Sequence, residues 1–158
     1  METFAFNWEL DDARIVEAIR EAEARSSGEV RVYVSDGAVN DPVSAAREQF
    51  ARMGMHATAE HNGVLIFVAP RSRNFAIVGD EAVHARCGQS FWTDVAAAMS
   101  RRFAMDHPTE GIVLGIRKAG ELLASHFPCR PDDRNELPNE LVRGGSLPPL
   151  PSEGRGTG

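Results

Sequence analysis

The spacing of hydrophobic and polar positions changes several times along this chain, and each change marks an element. Ile15, Ala18, Ile19 and Ala22 recur at helical spacing, which predicts a helix over residues 11–25. Asp11 or Asp12 caps it, where a carboxylate also meets the positive end of the helix dipole. Ser26-Ser27-Gly28 stops it. From Glu29 to Ser35 the pattern alternates: Val30, Val32 and Val34 face one way, Glu29, Arg31 and Tyr33 the other. Period two with β-branched residues predicts a strand. Asp41-Pro42 opens a second helix, with Asp as cap and Pro at the first helical position. Ala46, Phe50 and Met53 form its apolar stripe, and Gly54 ends it.

A polar loop, Met55 to Asn62, holds His56, Glu60 and His61. The run Gly63 to Ala69 that follows does not alternate, so both its faces are covered and it belongs in the centre of a sheet. Pro70-Arg71-Ser72-Arg73 is a polar turn. Asn74 to Val78 returns from it and ends at Gly79-Asp80, making a β-hairpin. A short helix over 81–87 is broken by Gly88. A longer one starts near Ser90, with Phe91, Val95, Met99 and Phe103 on one stripe. Pro108 opens the last helix, whose stripe is Ile112, Ile116, Ala119 and Leu123; Gly111 and Gly115 leave another face open to close approach. The order is α-β-α-β-β-α-α-α. A crossover through a helix makes the first two strands parallel, and the hairpin makes the third antiparallel to the second. The expected fold is α/β, a small mixed sheet with helices on both faces.

Composition sets the boundary. Six of the nine prolines and five of the fourteen glycines fall in residues 128–158. Such a stretch buries too little apolar surface to offset its ordering entropy, so the expected domain is 1–127 and the expected flexible tail 128–158. Leu147-Pro148-Pro149-Leu150-Pro151 has polyproline character that suits an aromatic groove, although a plain extended tail is the simpler reading. Trp8 is expected to pack the N-terminal segment onto the domain. At 158 residues and 42% hydrophobic, the chain is long enough for one sizeable core.

The formal net charge is −6, and no basic stripe with interleaved aromatics occurs. No nucleic acid is therefore expected as a partner. The N-terminus lacks a positive segment followed by an apolar one, and the longest apolar run is too short to span a bilayer. The expected location is cytoplasmic, with no direct membrane anchor. Cys87 and Cys129 make no disulfide framework, which fits reduced thiols.

Topology decides which loops meet. With parallel first strands, Glu29 and Gly63 start at one end of the sheet, and Gly79-Asp80 finishes there too. Glu60, His61 and Asn62 come together with Asp80, and His84 lies one turn beyond it. Carboxylates and imidazoles of this kind are ligands for a divalent cation. Asp80 and His84 are the candidate catalytic groups, and His61, Asp80, His84 and Glu60 the candidate metal ligands. The cation, Mg, Ca, Mn or Zn, stays open. The plainer alternative has Asp80 capping the next helix and His84 exposed on it. At the other end, Arg71 and Arg73 either clamp an anion, a binding role shared with Asn62, or keep the hairpin tip soluble. No P-loop, G-x-G-x-x-G, H-E-x-x-H or G-x-S-x-G motif occurs.

The hairpin Asn62-Gly63-Val64-Leu65-Ile66-Phe67-Val68-Ala69-Pro70, with Arg73 and Phe75-Ala76-Ile77-Val78-Gly79-Asp80, resembles the signature of the TPM domain family. Ser27-Gly28-Glu29, Phe91-Trp92, Gly111-Ile112 and Gly120 extend the likeness, and His126-Phe127-Pro128 resembles the ending of a soluble bacterial branch. The resemblance implies a three-layer α/β/α sandwich. It also implies acid phosphatase activity or divalent-cation binding in some members, and repair, assembly or modulation of membrane complexes in others. His61-Asn62-Gly63 stands where many relatives carry Asp-Asn-Gly, and Arg71-Ser72 where many carry an acidic turn. Two functions are therefore expected as alternatives: a cytoplasmic interaction or maintenance module with a protein partner, or a divalent-metal-assisted hydrolase of phosphate esters.

Overall fold

The computed structural model describes residues 9–128 and 141–144. Trp8, Cys129 and Leu147-Pro148-Pro149-Leu150-Pro151 lie outside them. The elements in chain order are α1 (Asp12–Glu23), β1 (Glu29–Val34), α2 (Pro42–Arg52), β2 (Gly63–Ala69), β3 (Asn74–Gly79), α3 (Glu81–Cys87), α4 (Gln89–Ala104), α5 (Pro108–His126) and β4 (Leu141–Arg143). A single 3-10 turn, Met55–Ala57, lies between α2 and β2. Caps fall where the sequence places them. Asp11 accepts from the Arg14 amide at the start of α1, and Asp41 from the Ser44 amide at the start of α2. Gly54 closes α2 with φ +71°, a left-handed conformation that glycine adopts at little steric cost.

The sheet order is β3-β2-β1-β4. β1 runs parallel to β2, with Glu29 opposite Gly63, and β2 runs antiparallel to β3, with Val64 opposite Gly79. α1, α4 and α5 cover one face over Val30, Val32, Val34, Val64, Ile66 and Val68. α2 covers the other over Leu65, Phe67, Ala76 and Val78. The fold is a three-layer α/β/α sandwich with a mixed sheet. Gly111 and Gly115 bring α5 close to α4: a methyl group at either would meet Phe103 or Met99 at 2.7 and 2.5 Å.

Two features differ from the sequence reading. Composition reads 128–158 as a tail, yet Leu141–Arg143 forms β4, parallel to β1 with Val142 opposite Tyr33. Three residues are too few to show a period, so long-range pairing places this strand where local pattern does not. β1 thereby becomes an interior strand. Second, alternation alone would turn Glu29 and Arg31 toward water, but both are buried. Arg31 pairs with Glu23 of α1 and with Glu29. Among the described residues β4 pairs with β1 from Val32 onward, and the amide of Val30 has a side-chain partner. Glu23 accepts that amide at 3.0 Å.

Among the described residues no helix is long and apolar enough to cross a membrane.

Candidate functional site

Asp80 lies where β3 ends and α3 begins, beside the start of β2. Its amide donates to the Gly63 carbonyl at 2.9 Å, which locks it to that strand. As the N-cap of α3 it has extended backbone, and its Oδ1 accepts from the Glu81 amide at 2.9 Å. His56 Nδ1 is 3.1 Å from the same oxygen. The second oxygen, Oδ2, is buried and has no hydrogen-bond partner among the described residues, and His61 Nδ1 stands 3.5 Å from it. Asp80 as a whole is only 5% exposed.

The loop that presents His61 is held at both ends. His61 has φ +53°, unusual for a side chain with a Cβ. Its amide donates to the Thr58 carbonyl, and its own carbonyl accepts from the Ala82 amide in the first turn of α3. Asn62, almost fully buried, donates from its amide to Thr58 Oγ1 and from Nδ2 to Ser27 Oγ. It ties the loop to the start of β1. The outcome is one cluster in which single atoms of His61, Asp80 and Glu81 all lie within 4.8 Å of one another.

Of the residues singled out from sequence, the fold brings His61 and Asp80 together, with Asn62 behind them. Glu60 and His84 are not in that group. His84 is exposed, and its Nδ1 accepts from Trp92 Nε1 at 3.1 Å, with the two rings 4.9 Å apart. Because Asp80 is a cap, its carboxylate turns back onto the Glu81 amide rather than along the face that carries His84. Arg71 and Arg73 lie at the opposite end of the sheet, in the turn between β2 and β3. Arg71 is exposed, and Arg73 pairs with Asp106 at 3.1 Å. His56 and Glu81 were not singled out. The only sequence signals for them are a second histidine in the loop and an acidic pair after the strand.

A groove of about 330 Å³ opens beside the cluster. Val43, Arg47 and Phe50 of α2 form one wall with His56, while His84 and Trp92 form the other. Its floor is the edge strand, Ile77 to Gly79. Trp92 lies directly over Gly79, where a Cβ would be 2.5 Å from the indole ring, so only glycine fits beneath it.

Fold and site together define an α/β/α sandwich domain with a carboxylate–imidazole cluster at one end of a mixed sheet. The chain belongs to the TPM domain family, whose model matches residues 9–122. It is similar to the BA42 protein from the psychrophilic bacterium Bizionia argentinensis. That NMR structure is 37% identical with a TM-score of 0.78, over 85% of this chain and 95% of that one. The N-terminal domain of a protein from P. gingivalis shares the fold, with 17% identity and a TM-score of 0.51 over 75% of this chain and 78% of that one. Comparison with the curated proteins finds no match.

Proposed function

We propose that this chain binds a divalent cation through Asp80, His61 and Glu81, and that the bound cation supports hydrolysis of phosphate monoesters. The observation that supports this is Asp80 Oδ2, a buried carboxylate oxygen with no hydrogen-bond partner among the described residues, beside the His61 imidazole. Leaving such an oxygen unsatisfied costs about 1–3 kcal/mol, and more when it is charged. A cation removes that cost. One imidazole and two carboxylates form a mixed nitrogen and oxygen set, which fits Mn²⁺ or Zn²⁺ better than Ca²⁺. When bound, a cation of this kind polarises a phosphoryl oxygen and acidifies a coordinated water. The chain's own residues hold the geometry: the Glu81 amide and His56 occupy Oδ1 and leave Oδ2 for the cation. The phosphate ester as substrate rests on the family resemblance.

Titration calorimetry with Mn²⁺, Zn²⁺, Mg²⁺ and Ca²⁺, together with an aryl phosphate assay across pH, tests the proposal. Asn keeps the α3 cap, so Asp80→Asn removes the charge without removing the cap. It is expected to weaken cation binding at least tenfold and to abolish cation-dependent hydrolysis. Equal cation affinity in wild type and variant would sink the site. Cation binding without hydrolysis would sink the enzymatic half.

A second reading, a protein-interaction module, is favoured by one observation. Among the described residues β3 is an edge strand, and the groove leaves that edge open between Val43 and Trp92.

A further inference from the structure

Among the described residues the outer edge of β3 is unpaired in the sheet, because β3 is the last strand of the order β3-β2-β1-β4. Which of its backbone groups face outward follows from the register. The Asp80 amide bonds the Gly63 carbonyl, and Val64 stands opposite Gly79. In an antiparallel pair the hydrogen-bonded positions alternate, so Val78 and Ala76 direct their N–H and C=O toward β2. Ile77 and Gly79 direct theirs outward, into the floor of the groove. Two outward pairs two residues apart match the backbone of an added strand.

The walls give that strand an address. Val43 and Trp92 offer apolar surface on opposite sides of the edge. Arg47 also lines the groove, and among the described residues no carboxylate does. It is a permanent cation on that wall, and its complement is an acidic group. We infer that the groove binds an extended segment of a partner protein that adds a short strand to β3, seats successive apolar side chains against Val43 on one side and Trp92 on the other, and turns an acidic side chain toward Arg47. It rests on the interaction reading and is independent of the cation.

Selection of random twelve-residue peptides on phage against the full-length chain, with EDTA present, tests it. Enriched peptides should combine apolar and acidic residues. A synthetic copy should slow amide exchange at Ile77 and Gly79. Val43→Asp and Arg47→Glu should each weaken it at least tenfold. N-methylation of alternate peptide amides in one register should abolish binding, which a purely side-chain contact would not show. Peptides that protect other amides, or that tolerate both substitutions, would overturn the groove while leaving an interaction module in place. No enrichment above the support alone would overturn both.

Discussion

At Asp80 one side chain does two things that pull in different directions. Its Oδ1 satisfies an amide at the start of α3, a structural duty, while its buried Oδ2 is left without a hydrogen-bond partner among the described residues. His61 faces that oxygen from a left-handed backbone, a conformation that Asp adopts more readily than most residues with a Cβ. His61→Asp should therefore fold and replace a nitrogen donor by an oxygen donor. Competition calorimetry should show the preference for Ca²⁺ or Mg²⁺ over Zn²⁺ rising at least tenfold; an unchanged order of cations would remove His61 from the ligand set. Gly79 makes a purely steric point. Gly79→Ala puts a methyl group against the Trp92 ring and should cost about 1–3 kcal/mol, read as a lower Tm with altered Trp fluorescence. Asp80 and His61 were legible because hairpin topology alone brings their loops together. His56 was not, since it reaches Asp80 across 24 residues through the 3-10 turn, which local pattern does not announce.

Among the elements, β1 shows how far pattern carries. Period two identified the strand correctly, yet it says only which residues share a face, not what covers that face. The end of α1 brings Glu23 against β1, and the buried Glu23–Arg31–Glu29 group results. Removing one member strands charge in the interior. Arg31→Met should destabilise by about 3–5 kcal/mol in urea unfolding, because two carboxylates then lose their cation. Glu23→Gln/Arg31→Met/Glu29→Gln should recover most of that loss. If Arg31→Met proved neutral, the group would be no ion network. Gly111 and Gly115, one turn apart, announced a close approach on one face of α5, and the structure shows that Phe103 and Met99 of α4 fill it.

For the whole molecule, β4 is the element that closes the sheet. A chain ending at residue 140 loses the strand that pairs with β1 and the Arg143–Asp12 ion pair. The ion pair is half exposed and contributes little. The bared edge of β1 matters more, so the truncated chain should show a lower Tm and concentration-dependent association by light scattering. An unchanged Tm would mean that β4 adds nothing to stability. Burial pushes the Cys87 thiol up from its ordinary range, which lowers its thiolate fraction near pH 8. In a Cys129→Ser background, Cys87 should be alkylated by iodoacetamide more slowly than free cysteine at pH 8. The difference should vanish in denaturant.

By itself the sequence determined the helices, the hairpin, the parallel crossover and the end of the sheet at which Asp80 and His61 meet. Those follow from periodicity, caps and glycine positions, which are local, and from chain connectivity. Only the tertiary structure decided that Leu141–Arg143 is a strand, that Arg31 is buried between two glutamates, and that His84 turns to Trp92 rather than to Asp80. Each of these depends on contacts between residues distant in the chain or on the direction in which one side chain leaves its backbone, and neither is written in the spacing of hydrophobic and polar positions.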